Sequence, residues 1–108
     1  MTNVVIQCHK SVTIGNYVNI GAGSMIFDTD FHSLSWNDRY DGTDVANRAT
    51  KSVTIKDFVF IGAHSIILKG VTIGEKSIVG AGSVVARNIP DGEIWAGNPA
   101  RFIRKIYE

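Results

Sequence analysis

The chain has 108 residues, enough for one domain, and 44% of them are hydrophobic, as in ordinary globular proteins. A net charge of +1 argues against a nucleic-acid-binding surface, and a single cysteine, Cys8, excludes a disulfide framework within the chain and a multi-cysteine metal site. No signal peptide is visible and no apolar run approaches the ~20 residues that span a bilayer, so the sequence predicts a soluble, cytoplasmic protein without membrane contact.

The first part of the chain repeats every six residues. One apolar set occupies every sixth position and consists of Cys8, Ile14, Ile20 and Ile26. A second set, of small or β-branched residues, stands four places after members of the first and consists of Val12, Val18 and Ser24. This spacing is neither the three-and-four spacing of a helix nor the alternation of a long strand. Six residues make one short strand and one corner, with Cys8 predicted at an inward position.

The stretch MIFDTDFHSLSW, residues 25–36, interrupts the repeat. The interval from Ile26 to the next member, Ile55, is not a multiple of six, so we place an extruded loop at about residues 28–48. The loop brings His32 close in sequence to Asp30 and Trp36. Histidine is the usual protein base near neutral pH, and a carboxylate or carbonyl often orients its ring. A solvated loop residue is the alternative interpretation of His32.

The repeat resumes after the loop and continues to Ile89. Its two inward sets are Ile55, Ile61, Ile67, Ile73, Val79 and Val85, then Val59, Ser65, Val71, Ser77, Ser83 and Ile89. Three six-residue sides close a triangular coil of eighteen residues, and about three coils stack ~4.8 Å apart. The sequence therefore predicts an all-β fold, a parallel β-helix forming a single domain over residues 1–108.

Outward positions carry a second pattern. Phe60 and Ile78 are eighteen residues apart, as are Ile66 and Val84, so each pair stacks on one side of the coil. An outward apolar stripe is typical of a partner surface, and we expect a homotrimer with coils side by side. A second outward pair is Ala63 and Ala81, which are also eighteen residues apart. Their small side chains form a smooth patch whose backbone is open to an extended, amide-bearing ligand such as a pantetheine arm.

The end of the chain loses the repeat. Residues 89–100 contain both prolines and are rich in turn formers. Phe102, Ile103 and Ile106 then fit one face of a helix, which we expect at about residues 99–107, capping the open end of the coil.

Taken together, the repeats, the DTDFHSL insertion and the GNPAR ending resemble the hexapeptide-repeat acyltransferases, and most of all the maltose, galactoside and surface-polysaccharide O-acetyltransferases. The resemblance covers about residues 11–106. It implies a left-handed β-helix, a homotrimer with active sites between subunits, and acetyl transfer from acetyl-CoA to a sugar or polysaccharide hydroxyl without a required metal.

The resemblance also implies roles for particular residues. His32 matches the catalytic base of the family, and Asp30 and Trp36 beside it are candidates for contacts with the acceptor. Residues matching the coenzyme A site, including two arginines for the nucleotide phosphates, are Phe60, Ala63, Ala81, Gly82, Ala86, Arg87, Arg101 and Arg104.

Three alternatives remain open from the sequence. One is a zinc-dependent carbonic anhydrase on the same coil, which needs three convergent histidines, whereas His9, His32 and His64 are far apart in the sequence. The second is a shortened, non-catalytic β-helix that binds a partner. The third keeps the acetyl transfer but uses an amino sugar or a xenobiotic as the acceptor. We expect His9 and His64 to be surface residues.

Overall fold

The computed structural model describes residues 2–107 and consists of a parallel β-helix with one extruded loop. The first four strands are β1 (Val5–Gln7), β2 (Val12–Ile14), β3 (Asn19–Ile20) and β4 (Met25–Phe27). The loop contains α1 (Trp36–Asp41) and α2 (Asp44–Asn47). The remaining strands are β5 (Val53–Ile55), β6 (Phe60–Ile61), β7 (Ile66–Ile67), β8 (Thr72–Ile73), β9 (Ile78–Val79), β10 (Val84–Val85), β11 (Glu93–Gly97) and β12 (Ala100–Lys105).

The strands form three sheets, one for each side of the triangular coil. Sheet A contains β1, β4, β7 and β10, sheet B contains β2, β5 and β8, and sheet C contains β3, β6, β9, β11 and β12 in stacking order. The pairs within the coil are parallel, and Ile55 pairs with Ile73 eighteen positions later. The predicted parallel β-helix is therefore confirmed, and we name its corners A/B, B/C and C/A after the sheets that they join.

Aliphatic residues of the repeat fill the interior. Both inward sets from Ile55 to Ile89 are buried, together with Ile20 and Ile26. Fully burying one such side chain contributes about 1.5–3 kcal/mol. Buried serines at the C/A corner satisfy carbonyl groups of the coils, as the hydroxyl of Ser65 donates to the Gly62 carbonyl at 2.8 Å. The core thus alternates apolar mid-strand residues with small polar residues at a corner.

The inward placement of Cys8 is wrong. Ile6, not Cys8, pairs with Ile26, and Cys8 is exposed. The inward residues Ile6 and Ile14 are eight positions apart instead of six. The backbone of this first A/B corner wraps around the carboxylate of Asp28, which accepts hydrogen bonds from the N–H groups of His9 and Lys10 at 2.9 and 2.6 Å. A fixed count of six cannot detect this longer corner.

The C-terminal helix at about residues 99–107 is also wrong, because β12 occupies that stretch. Strand β11 pairs in parallel with β9 on one side and antiparallel with β12 on the other. As the last parallel strand, β11 would otherwise leave a row of N–H and C=O groups at a free sheet edge, and β12 pairs with that row. The chain turns at Gly97, whose φ of +108° glycine alone adopts easily.

Candidate active site

The extruded loop leaves the A/B corner after β4 and returns to β5, so it spans residues 28–52. An antiparallel bridge between Thr29 and Thr50 closes its base. The two backbone bonds of this bridge run from Lys51 N–H to the Asp28 carbonyl at 2.9 Å and from Asp30 N–H to the Ala49 carbonyl at 3.0 Å. The loop is therefore anchored to the coil as a small folded unit, with two short helices that the sequence pattern did not predict.

Asp28 is fully buried at the start of the loop. Burial by itself would raise the pKa of this carboxyl, but the backbone N–H groups of His9, Lys10 and Ser11 stabilise the charge and hold its pKa below the ordinary value. Asp28 therefore joins the first corner to the loop, and its contacts are structural.

His32 and Asp44 form the only side-chain pair of an imidazole and a carboxylate among residues 2–107. His32 Nδ1 lies in hydrogen-bonding contact with Asp44 Oδ2, and Asp44 begins α2. An ionised carboxylate can only accept hydrogen bonds, so Nδ1–H of His32 is the donor, and this hydrogen bond lowers the pKa of Asp44. The His32 side chain is 66% exposed. Its Nε2 atom thus carries the free lone pair, as a base needs.

Asp30, a predicted acceptor contact, joins the loop to the next coil. Its Oδ1 atom pairs with Lys69 Nζ at 3.0 Å, and Lys69 follows β7 in the next coil. The Asp30 carbonyl accepts a bond from His32 N–H at 2.8 Å. Its Oδ2 atom is buried and has no hydrogen-bond partner among the described residues. One carboxylate oxygen therefore anchors the base of the loop, and the other retains its capacity to accept a hydrogen bond.

Large apolar side chains of the loop point outward. Neither helix buries a residue. Four exposed side chains carry most of this apolar surface: Leu34, Trp36, Tyr40 and Val45. Trp36, a predicted acceptor contact, opens α1 and is 70% exposed, so the described chain leaves its ring open on the same loop as His32.

The C/A corner presents little side-chain bulk. Ala81 and Gly82 are exposed there and Ala63 is half-buried. A Cβ built on Gly82 would meet no atom within 4 Å, whereas one on Gly62 would lie 2.5 Å from the Ala81 nitrogen. The coils therefore pack tightly at this corner and leave open space over Gly82, while the exposed His64 ring lies beside Gly23.

Comparisons with known proteins match both the repeat and the fold. The family model for the bacterial transferase hexapeptide (six repeats) matches residues 52–87. The galactoside O-acetyltransferase of Escherichia coli is 38% identical over 96% of this chain and 49% of its own length, and that of Lactococcus lactis is 36% identical over 96% and 48%.

Solved structures agree. A hexapeptide-repeat acetyltransferase from Vibrio cholerae in complex with acetyl coenzyme A is 35% identical, with a TM-score of 0.88 over 98% of this chain and 55% of that one. A maltose O-acetyltransferase from Clostridium difficile is 30% identical, with a TM-score of 0.66 over 97% of this chain and 67% of that one. An N-acyltransferase from Bacillus cereus with dTDP and coenzyme A is 32% identical, with a TM-score of 0.75 over 89% and 53%.

The chain belongs to the hexapeptide-repeat acetyltransferases. The expected left-handed hand of the coil is confirmed by the agreement with these folds. The chain spans about half the length of the curated relatives it matches.

Within this hexapeptide-repeat coil, the residues matched to coenzyme A fall in three places. Ala63, Ala81 and Gly82 lie at the C/A corner, and Ala86 and Arg87 follow β10 at the A/B corner. These corners border opposite edges of sheet A. Phe60 projects from sheet C and is 49% exposed, and both arginines lie exposed on the last strand of that sheet: Arg101 and Arg104. A single chain does not gather the whole set.

Asp44 is the site residue that the sequence pattern did not reveal. It lies twelve positions after His32. Asp28 and Asp30, which are closer in sequence, take other partners. The remaining histidines are exposed: His9 accepts a bond from Arg48 Nη2 at 3.1 Å, and His64 lies at the C/A corner. Residues 2–107 contain no cluster of three or more His, Cys, Asp and Glu side chains that could hold a metal, and no helix in that range is long and apolar enough to cross a bilayer.

Proposed function

We propose that this protein transfers an acetyl group from acetyl-CoA to a hydroxyl group of a sugar or polysaccharide, with His32 as the general base. The observation that carries the proposal is the His32–Asp44 pair on the extruded loop of a hexapeptide-repeat coil. The names of the galactoside and maltose O-acetyltransferases support the acceptor class, and the acetyl coenzyme A bound by the Vibrio cholerae relative supports the donor.

The residues fit each part of such a reaction. When bound, acetyl-CoA supplies an acetyl thioester. Nε2 of His32 accepts the proton of the attacking hydroxyl, and Asp44 holds the ring so that this nitrogen faces outward and stabilises the positive charge that forms. Backbone N–H groups of the coil are suited to stabilise negative charge on the reacting carbonyl oxygen. His32 then returns the proton to the departing thiolate, so the acetyl group moves from sulfur to oxygen and no covalent enzyme intermediate is needed.

The C/A corner fits an extended donor. The open space over Gly82 and the small side chains of Ala63 and Ala81 would admit a pantetheine arm along the axis of the coil. Arg101 and Arg104 offer guanidinium groups for phosphates, with Ala86 and Arg87 at the far edge of sheet A and Phe60 on sheet C as the remaining contacts. Asp30, whose side chain is partly exposed at the base of the loop, and Trp36 would contact the acceptor.

A homotrimer would complete the site. Outward residues of sheets A and C are mostly apolar and form two adjoining faces: Val5, Met25, Ile66 and Val84, then Phe60, Ile78 and Ile94. Such faces favour side-by-side packing of identical coils. Because His32 and Ala81 belong to opposite edges of sheet A, the loop of one subunit would reach the C/A corner of another.

Purified protein, acetyl-CoA and a panel of galactose, maltose and glucosamine test this function through release of the coenzyme A thiol. We expect O-acetylation of at least one sugar, and we expect His32→Ala to lower kcat by about 100-fold or more while the protein stays folded. Asp44→Asn should lower kcat at least about tenfold without changing the KM for acetyl-CoA, because the base loses its orientation.

Asp41→Asn, which changes a loop carboxylate without contact to His32, serves as the matched control and should retain activity. Full activity of His32→Ala would remove the assignment of the base. If only the glucosamine nitrogen is acetylated, the acceptor is an amine and the assignment of a hydroxyl acceptor is wrong. Absence of acetyl-CoA binding would contradict the proposal as a whole.

A further inference from the structure

Two aromatic residues occupy strained backbone positions at the B/C corner. In four successive coils this corner contains one residue with a left-handed backbone, Tyr17, Phe58, Lys76 and Gly92, with φ of 58°, 61°, 64° and 67°. Glycine and asparagine suit this conformation, and other residues cost roughly 1–2 kcal/mol there. Local backbone preference therefore opposes tyrosine and phenylalanine at this corner.

The two rings stack on each other in the solvent. Their centroids are 5.3 Å apart and their planes differ by 8°. Tyr17 is 79% exposed and Phe58 is 49% exposed. Stacking contributes about 0.5–1.5 kcal/mol, which does not exceed the combined backbone strain of the two residues. The stability of the fold thus provides no reason for an exposed aromatic pair here.

Polar groups continue the same corner. Lys76 lies in the coil after Phe58, and its N–H bonds to the Asp57 carbonyl at 3.0 Å. With Glu75, Asp91 and Gly92 it lines an open depression of about 260 Å³. An aromatic surface therefore adjoins carboxylate and ammonium groups along one line of the coil.

Sheet B connects this corner to the loop. Its outward residues are threonines in register, Thr13 beside Thr54 and Thr54 beside Thr72, whereas the other two sheets present mostly apolar residues. The A/B corner at the far edge of sheet B carries the loop with His32. One side of the coil, roughly 15–20 Å wide, thus has hydroxyl groups in its middle, aromatic rings on one edge and the proposed base on the other.

We propose that the B/C corner is a saccharide-binding platform, on which an oligosaccharide acceptor lies across sheet B with one end at the loop. The apolar C–H face of a pyranose ring packs on an aromatic surface, and its hydroxyl groups bond to threonine, carboxylate and ammonium groups. This inference rests on the proposed function, since it gives the proposed saccharide acceptor a second binding surface away from His32.

The experiment compares hexasaccharides with their monosaccharides by calorimetry without acetyl-CoA, using maltohexaose, cellohexaose and chitohexaose. We expect the protein to bind at least one hexasaccharide about tenfold more tightly than the corresponding monosaccharide. The variant Tyr17→Asn/Phe58→Asn should lose this preference yet remain stable, because asparagine tolerates the left-handed backbone. Tyr107→Asn, which alters an equally exposed tyrosine at the other end of the chain, should keep the preference.

No preference for any hexasaccharide, or a preference that survives in the double variant, would overturn the platform. Dissociation of the oligomer in the double variant would also overturn it, by assigning the rings to an interface between copies. Acetyl transfer to a monosaccharide is measured separately: a double variant that keeps this transfer but loses the binding preference supports the platform, whereas absence of transfer in the parent protein counts against the proposed function alone.

Discussion

At the scale of single residues, carboxylates near His32 divide into separate tasks. Asp28 accepts backbone N–H groups of the first corner, Asp30 pairs with Lys69, and Asp44 contacts the imidazole. Burial and hydrogen-bond partners, rather than distance along the sequence, assign these tasks. The base of the loop is thus rigidly held, while the imidazole extends from it with one nitrogen free.

Asp28 provides a test of how the loop is anchored. We expect Asp28→Asn to lower the free energy of unfolding by about 1.5–3 kcal/mol near pH 7, because backbone donors lose a charged acceptor. The pKa of Asp28 is lowered in the folded protein, so its contribution is complete above the ordinary value of 3.8 and is lost as the pH falls through the folded-state value.

Denaturant unfolding of parent and variant at several pH values measures this contribution. The two proteins should differ by a constant amount above about pH 5, and the difference should shrink as the pH falls below 3.8 and through the folded-state pKa. Asp41→Asn, at an exposed position of the same loop, is the control and should show little difference. A gap between Asp28→Asn and the parent that persists in acid would contradict an ionised anchor.

At the scale of the repeat, glycine and the bend of the chain are separate features. Gly15, Gly21 and Gly62 do not have positive φ; a Cβ on each would lie 2.3, 2.3 and 2.5 Å from atoms of the next coil. The left-handed bend falls two positions later, at Gly23 and His64 among others. The repeat therefore needs glycine for close approach between coils, and it needs a left-handed residue for the turn itself.

Two substitutions at the C/A corner should consequently change the free energy of unfolding in opposite directions. Gly62→Ala should destabilise the fold by about 1–3 kcal/mol, since its methyl group would overlap the backbone of Ala81. His64→Gly should be neutral or stabilise by up to about 1 kcal/mol, because glycine relieves the strained φ of 57°. Thermal and denaturant unfolding measure both; equal effects of the same sign would contradict the distinction.

At the scale of the whole molecule, the three sides of the coil differ in chemistry. Sheets A and C expose apolar residues, whereas sheet B exposes a threonine ladder. Two apolar sides that meet at the C/A corner favour contact with neighbouring subunits, and the polar side favours solvent or a polar ligand. The proposed base and the proposed donor groove lie at opposite edges of sheet A, which is one of these two apolar sides.

Subunit complementation tests a site shared between chains. His32→Ala lacks the base, and Ala81→Trp should block the donor groove, so neither should transfer acetyl groups alone. In trimers assembled from equal amounts of the two variants, about one interface in four brings an intact loop of one subunit to an intact donor groove of another. We therefore expect about a quarter of the parental activity. Sedimentation of the mixture verifies the trimer. Trimers that form without any recovery would place the whole site within one chain.

The sequence by itself determined the coil. Its six-residue period places one β-branched residue inward on every side, and the burial of Ile55, Ile61 and Ile67 confirms that placement because register in a stacked strand follows the apolar pattern. The interruption of the period likewise located the loop and His32, since an insertion shifts the phase of a regular repeat. Local pattern is sufficient for features of this kind.

Only the tertiary structure decided features that depend on distant partners. Asp44 meets His32 because the loop folds back through two short helices, and no period marks that approach. Strand β12 forms, despite a helical pattern of apolar residues, because the free edge of β11 requires a strand partner. Cys8 is exposed because the first corner lengthens around a buried carboxylate. In each case a long-range hydrogen-bonding requirement outweighs the local spacing of side chains.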